Sequence, residues 1–405
     1  MPDPDLWHRI RVGFLLEPLD SPLVEENEAW YAGRPDYIRR FVDRGSRYLH
    51  HIVEEVERRN MPTEIALLPV IESAFNPHAY SRAKASGLWQ FIPSTGRTFG
   101  LEQDAWKDGR RDIVAATHAA LAYLQRLYDM FGSWELALAA YNCGEGCVGR
   151  AIAANQKRGL PTDFLSLKLP SETMNYVPRL IAVKNIILAP ALYGIELDSI
   201  PDQPYFTAVA SPPKIDVKLA AQLAGMSVEE FVALNPAHNK PVAVSLASSG
   251  TLLLPLDKAD GFRENLENWD KPLVTWNTVQ GKKGESVDAI AKRYGLTGAS
   301  LRQVNNLQVG KNGRLAVAQP ILVPGRNPAG PQPAGAKAAP ESAKAPVAKS
   351  APPSPAASTP FYTVKAGDTL QGIARRFGKA VPDLLRLNNL TARVTLQPGL
   401  RLRVH

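Results

Sequence analysis

Glu72 closes the run Leu68-Pro69-Val70-Ile71-Glu72-Ser73-Ala74-Phe75, a carboxylate at the end of an apolar stretch. Removing a carboxyl group from water disfavours its charged form, so among such neighbours its pKa should rise. A carboxylic acid still protonated near neutral pH can pass its proton to a departing oxygen, as breaking a glycosidic bond requires. Taken alone, the segment is equally compatible with an ordinary exposed glutamate at a helix end. Three further segments bear on the choice: Gly87-Leu88-Trp89-Gln90-Phe91-Ile92-Pro93, then Ala139-Ala140-Tyr141-Asn142-Cys143-Gly144-Glu145-Gly146, then Glu172-Thr173-Met174-Asn175-Tyr176-Val177-Pro178. Gly, Asn and Tyr at helix breaks are poor core material. They suit a groove, where amides and hydroxyls can hold sugar hydroxyls and aromatic faces can take sugar rings.

A second carboxylate would point to hydrolysis across a pair of acids. The candidates are Glu145, Asp104, Asp108 and Asp112, with Glu145 the best placed between two glycines. Its favoured reading is still an exposed charge at the start of a helix, where the macrodipole stabilises it. Cys143 and Cys147, the only cysteines, could form a disulfide or half a metal site. Two small apolar core residues are the preferred reading, since zinc would need two further ligands at motif spacing. His50-His51 lacks a partner ligand at useful spacing and should be exposed on its helix. No metal and no cofactor are expected.

These residues need elements to hold them. Asp36 to Arg59 carries Ile38, Phe41, Leu49, Ile52, Val53 and Val56 on one helical stripe, ended by Asn60-Met61-Pro62. Thr63 to Phe75 predicts a second, apolar helix with a kink or stop at Pro69. Ile113 to Met130, Trp134 to Tyr141 and Thr173 to Leu188, the last with Pro178 inside, predict three more, while Ser81 to Thr98 reads as loop. Beyond residue 200 the chain repeats. Gly367-Asp368-Thr369-Leu370 with Ile373-Ala374, Leu384 and Asn388-Asn389-Leu390 matches Gly284-Glu285-Ser286-Val287 with Ile290-Ala291, Leu301 and Asn305-Asn306-Leu307 at a constant offset. A weaker copy runs through Leu219-Ala220, Gly225, Phe231 and Leu234-Asn235-Pro236. Each predicts strand, two short helices, strand. Arg326 to Pro360, almost all Ala, Pro, Lys and Ser, reads as an extended tether.

The 405 residues are 45% hydrophobic and 21% charged, which suits globular modules joined by linkers better than one compact body. The formal net charge of +8 suits an anionic partner. Without a base-reading motif, nucleic acid is not expected. No run of about twenty apolar residues predicts a transmembrane helix.

In this order and spacing the four segments resemble the catalytic domain of the lytic transglycosylases related to soluble lytic murein transglycosylase, and among them the membrane-bound D group. The likeness covers roughly residues 5–195 and is most specific from Glu72 to Gly100. The repeats resemble LysM modules, which bind glycans containing N-acetylglucosamine. The resemblance implies an α+β multidomain chain: a mostly helical, lysozyme-like domain at 1–200 with its core at about 61–195, a degenerate LysM-like module at 204–257, LysM modules at 273–325 and 361–405, and the linker 326–360. It implies Glu72 as the single catalytic acid and base. Ser73 and Ser81 match polar positions lining the cleft, Gln90 a substrate-positioning amide, Tyr141 and Asn142 the wall opposite the glutamate, and Tyr176 the tyrosine whose hydroxyl approaches it. Cys143 departs from the pattern, since relatives often carry a larger residue there.

The implied reaction cuts between N-acetylmuramic acid and N-acetylglucosamine in peptidoglycan strands and leaves a 1,6-anhydro end, without consuming water. A muramidase using water and a catalytically inactive wall-binding scaffold are the alternatives; joint retention of Glu72, Gln90, Tyr141 and Tyr176 argues against the scaffold. The expected partner is the glycan strand, bound by a monomer in the periplasm or cell envelope, with membrane contact only through a lipid anchor. Met1-Pro2-Asp3-Pro4-Asp5 carries neither a secretory signal nor a cysteine for a lipid, which such a location would call for elsewhere.

Overall fold

In a computed structural model of the chain, the described residues are 5–244, 250–325 and, in the last module, 361–364, 373, 374, 377, 379, 384, 387, 388 and 401–403. Two compact units divide the chain after residue 330. The tether at 326–360 lies outside the described residues.

The first 200 residues are helical. α1 (Leu6–Val12) and α2 (Pro22–Ala32) precede the stripe expected at Asp36 to Arg59, which forms two helices instead of one. α3 (Pro35–Gly45) and α4 (Leu49–Glu57) are separated by Ser46, Arg47 and Tyr48. Tertiary contacts set that break. Tyr48 is buried, its hydroxyl donating to the Ala233 carbonyl at 2.8 Å, and a Cβ on Gly45 would stand 2.9 Å from the Phe75 ring. Glycine lets α3 approach the residue that anchors the end of the glutamate segment, at the usual cost of glycine in a helix.

Thr63–Leu67 is a 3-10 turn running into α5 (Leu68–Ser73). Pro69 therefore sits in the first turn of a helix where a kink or stop was expected, because in a first turn its missing N–H leaves no bond unmade. Within the segment read as loop, Pro93–Thr98 forms α6, and single antiparallel bridges pair Tyr80 with Ser86 and Ser86 with Phe91. α7 (Ile113–Phe131) is capped by the Asp112 side chain, which accepts the Ala115 amide at 3.0 Å. α8 (Trp134–Cys143), α9 (Glu145–Lys157) and α10 (Ser171–Leu188) complete the region. α10 is the central strut, packed against α2, α8 and α5.

Beneath α5 lies a buried ion pair. Glu64, with no exposed surface, stands 3.3 Å from Lys184 Nζ of α10 and accepts the Leu15 and Leu16 amides. Lys184 also donates to the Leu16 carbonyl, so the pair ties the N-terminal segment, α5's approach and α10 together.

The first repeat is more elaborate than strand–helix–helix–strand. β1 (Phe206–Ala210) pairs with β4 (Thr251–Pro255) and β2 (Lys214–Asp216) with β3 (Val242–Val244), both antiparallel, around α11 (Val217–Leu223) and α12 (Val228–Leu234); α13 (Ala259–Glu267) follows. The second follows expectation: β5 (Trp276–Gly281) pairs antiparallel with β6 (Gln319–Pro324) around α14 (Val287–Arg293) and α15 (Gly298–Asn305). In the third, β7 (Phe361–Thr363) pairs with β8 (Arg401–Arg403); Gly367-Asp368-Thr369-Leu370 and Asn389-Leu390 lie outside the described residues.

One asparagine clamps every copy. Asn235, Asn305 and Asn388 each donate to a carbonyl one helical turn back, at Phe231, Leu301 and Leu384, and to the closing strand, at Leu253, Leu322 and Arg403. Each also accepts that strand residue's amide. The repeated Asn is thus the lock of the module.

The first two modules are not beads on a linker. The Asn239 amide donates to the Trp106 carbonyl at 2.7 Å, the Asp108 amide to Ala237 at 2.8 Å, and Lys240 Nζ to Val304 at 2.7 Å. The first two bonds tie the first module to the helical region, and the third ties the second module to the first.

Candidate active site

α5 ends one residue after Glu72 because Ala74 and Phe75 both turn left-handed, at φ 49° and 52°. Their amides bond back to Val70 and Pro69 at 3.1 Å, and Phe75 is buried against α3. Left-handed backbone at consecutive non-glycine residues is costly and persists only where packing holds it. Here it stops the helix so that Glu72 faces a cleft of about 450 Å³.

Glu72 is partly exposed at the cleft, and the protein packed around its carboxyl displaces enough water to lift its pKa from 4.5 to about 7. The Tyr176 hydroxyl, which donates to Oε1 at 2.5 Å, and the nearby Arg179 guanidinium pull the other way without cancelling it. Tyr176 stays protonated because burial and the neighbouring carboxylate push its own pKa well up. The arrangement can donate a proton and, once ionised, be steadied by a phenol and a cation.

Gln90, Tyr141, Asn142, Ser81 and Tyr176 join Glu72 on the cleft wall. Each is held from behind. Tyr141 Oη donates to the Trp89 carbonyl at 2.8 Å, and Asn142 Oδ1 accepts the Thr173 hydroxyl at 2.8 Å. Gln90, itself left-handed at φ 49°, donates its amide to Gly87 at 2.8 Å, and Ser81 Oγ accepts the Ala85 amide at 3.1 Å. Ser73 stands apart from the wall. Its hydroxyl donates to the Leu88 carbonyl at 2.9 Å and pins the loop to α5. Gly87 permits that loop: at φ +84° a Cβ would stand 2.1 Å from the Arg110 carbonyl oxygen.

Several site residues escaped the sequence reading. Arg179 and Glu172 line the cleft with Tyr176, and spacings of four and three residues along α10 put all three on one face. That spacing is the signal that could have found them. Arg110 carried no such signal. It is buried, pairs with Asp108 at 2.7 Å and donates to the Lys84 and Phe91 carbonyls at 2.6 and 3.1 Å, holding both ends of the Gln90 loop. The acids weighed as partners for Glu72 are occupied elsewhere. Glu145 begins α9, accepts the Tyr123 hydroxyl at 3.0 Å and is held below its usual pKa by hydrogen bonds from its own amide and from Tyr123. Asp104 and Asp112 bond backbone amides, and Asp108 holds Arg110.

Two expectations are corrected. Cys143 and Cys147 form a disulfide and are partly exposed, not core. The chain breaks at Gly144, φ +89°, so the cysteines flank a turn between α8 and α9 and face each other across it. Cys143 lies on the cleft wall beside Asn142. His50 and His51 are not exposed helix residues. His50 is buried 3.5 Å from Asp202, and His51 packs against Phe206 of β1 with its pKa lowered by burial to about 4. The first module covers the face that α4 alone would have left in water. Among the described residues no group of three or more His, Cys, Asp or Glu is placed to hold a metal ion.

Three family models match the chain: the transglycosylase SLT domain at residues 51–162, the LysM-like domain of lytic transglycosylase MltD at 205–271, and the LysM domain at 282–324 and 362–405. The first stops short of Tyr176. The chain is 35% identical over 410 aligned residues to the membrane-bound lytic murein transglycosylase D of Escherichia coli, covering 98% of this chain and 85% of that one. It is 47% identical over 122 residues to a putative tributyltin chloride resistance protein of an Alteromonas species, covering 30% of this chain and 59% of that one. A solved lytic transglycosylase Slt from Pseudomonas aeruginosa is 28% identical, with 36% of this chain and 24% of that chain covered and a TM-score of 0.28. By identity and coverage from end to end, the chain belongs to the family of the membrane-bound lytic murein transglycosylase D, with an SLT-type catalytic domain followed by LysM modules.

Proposed function

We propose that the chain cuts peptidoglycan strands between N-acetylmuramic acid and N-acetylglucosamine and leaves a 1,6-anhydro end. The observation that carries this reading is the environment of Glu72: a carboxyl with a pKa of about 7, in a cleft, touched by Tyr176 and faced by Arg179. Protonated Glu72 gives its proton to the glycosidic oxygen as the bond to the muramic anomeric carbon breaks. The carboxylate then takes the proton of the muramic C6 hydroxyl as that oxygen bonds to the same carbon. One acid serves both transfers, and the proton balance closes without water. Tyr176 and Arg179 steady Glu72 while it is charged, and Gln90, Ser81, Tyr141 and Asn142 hold the sugar rings.

Glu172 favours a second reading. It is a carboxylate on the same wall and could activate water for hydrolysis. Mass spectrometry of sugars released from purified sacculi separates the two. Anhydro-muramic ends that persist in Glu172→Gln support the lytic reaction; reducing ends, abolished in that variant, support the hydrolase.

The reaction places the protein in the cell envelope. The LysM modules then raise its local concentration on an insoluble polymer. A chain ending at Gly325 should still cut short soluble glycans but be retained less on sacculi; equal retention would remove the anchoring role of the last module.

A further inference from the structure

We propose that the first module supports the catalytic cleft, and that Asn239, on its loop between α12 and β3, is a positioning residue for the reaction. Asn239 acts through residues 102–112 on the loop that carries Gln90. This rests on the peptidoglycan reading above, in which Gln90 holds the sugar.

The module and the helical region share a seam. Leu234 and Leu253 of the module, 1% and 7% exposed, belong to the same buried cluster as Leu49, Val70 and Leu180. Trp106 of the helical region reaches the other way and packs on the cluster of Val242 and Val244. Between them runs a short antiparallel bridge. Lys107 pairs with His238, the Asp108 amide donates to the Ala237 carbonyl at 2.8 Å, and the Asn239 amide donates to the Trp106 carbonyl at 2.7 Å. The Asn239 side chain adds two bonds across the same seam. Its Oδ1 accepts the Arg111 guanidinium, and its Nδ2 donates to the Asp104 carbonyl at 3.2 Å. The module's own fold does not ask for this side chain. Four positions after the clamping asparagine, the second and third modules carry Val309 and Ala392.

From the seam, two residues lead to the cleft. Asp108, its amide held by the module, turns its carboxylate on Arg110: Oδ1 accepts Nε at 2.9 Å and Oδ2 a terminal nitrogen at 2.7 Å. A two-point contact between carboxylate and guanidinium fixes direction as well as distance. Arg110, 5% exposed, donates its other terminal nitrogen to the Lys84 and Phe91 carbonyls at 2.6 and 3.1 Å. Gln90 lies between them. The Phe91 carbonyl also accepts the Ser86 amide at 3.1 Å, so Arg110 grips the loop where it closes on itself. Lys84 and Gln90 both have left-handed backbone, at φ 62° and 49°. Residues other than glycine keep that conformation only where their surroundings enforce it. Here the enforcement comes from behind the cleft, through Arg110 and Asp108, and ends on the first module.

The test uses the full chain and two readouts: amide hydrogen exchange, and cleavage of a short soluble glycan of alternating N-acetylglucosamine and N-acetylmuramic acid. Three variants are compared. Asn239→Ala removes both side-chain bonds, and Asn239→Asp keeps an oxygen for Arg111. Asn265→Ala removes a bond of 2.8 Å to the Leu223 carbonyl, between α13 and α11, and controls for general loosening of the module. Asn239→Ala should speed exchange of the Ser86 and Gly87 amides about tenfold and raise KM about tenfold, with kcat changed less than about twofold. Asn239→Asp should recover most of both effects, and Asn265→Ala should produce neither. In a Gln90→Ala chain, Asn239→Ala should add little further loss, because both substitutions act on one contact. Unchanged exchange at Ser86 and Gly87 in Asn239→Ala would overturn the proposal. So would an equal rise in KM in Asn265→Ala, or a full additional loss in the Gln90→Ala chain. Failure of the unsubstituted chain to release anhydro sugars would instead overturn the underlying activity and leave the exchange result standing, so the two failures are distinguishable.

Discussion

Eight positions apart on the same apolar stretch, Glu64 and Glu72 sit in environments that suit opposite jobs, structural for Glu64 and the proposed proton transfer for Glu72. Glu64 lies on the floor of the helical region, where Lys184 and two backbone amides surround it, and it binds three segments into one body. Glu72 lies at the cleft with one phenol donor and a guanidinium at longer range, and water loss dominates its titration. Enclosure alone therefore does not make a carboxylate an acid catalyst. The number and charge of its partners decide whether it serves structure or proton transfer.

Swapping each for its amide should separate the two roles. Glu72→Gln should lower turnover on peptidoglycan by about a thousandfold or more, because an amide of the same shape cannot transfer the proton. Retention of a tenth of the activity would end the assignment. Glu64→Gln should instead destabilise the fold by about 3–5 kcal/mol in denaturant unfolding, since Lys184 would keep a buried, uncompensated charge. A Glu64→Gln chain as stable as the parent would remove the structural half of the contrast.

Stability against pH sharpens it further. Folding raises the Glu72 pKa from 4.5 to about 7, so the folded state holds its proton more tightly than the unfolded one. Below pH 4.5 both states are protonated and Glu72 carries no penalty; as pH rises through 7 the penalty grows to its full size. Glu72→Gln should therefore be the more stable protein above neutrality, by at most about 3 kcal/mol, with the advantage gone in acid. Equal stability at every pH would show that desolvation does not govern this group.

Activity should fall as pH rises through about 7, where Glu72 loses the proton it must donate. Tyr176 and Arg179 both pull that pKa down, so Tyr176→Phe and Arg179→Met should each move the alkaline limb upward while lowering the rate. A limb that stays in place in both variants would assign it to another group.

The smallest effect is expected at Cys143 and Cys147. The disulfide closes a loop of a few residues, and its loss should cost no more than about 2 kcal/mol on chain-entropy grounds. Because Cys143 lines the cleft beside Asn142, paired Cys→Ser substitution should raise KM a few-fold with kcat nearly unchanged. A matching loss in kcat would mean that the turn at Gly144 shapes the reacting geometry as well.

Much of this was legible in the residues. The stretch before Glu72 allowed a desolvated acid as readily as an exposed one, the polar and aromatic segments around Gln90, Tyr141 and Tyr176 pointed to a groove, and the repeat of Asn235, Asn305 and Asn388 announced three related modules. Local patterns carry such information because periodicity and composition act within a few turns of chain. The errors share one cause, which is that distant chain supplies the partner. The expected helix breaks after Gly45, where α3 packs on Phe75, His50 and His51 are covered by the first module, and Arg110 holds a loop about twenty residues away. The cysteine spacing was compatible with a bond or with packing until the turn at Gly144 set their directions. By itself, then, the sequence determined which residues could do the chemistry and what kind of modules surround them. Only the tertiary structure decided which carboxylate is left with too few partners to stay ionised near neutral pH, because desolvation and pairing are sums over everything that packs around a group.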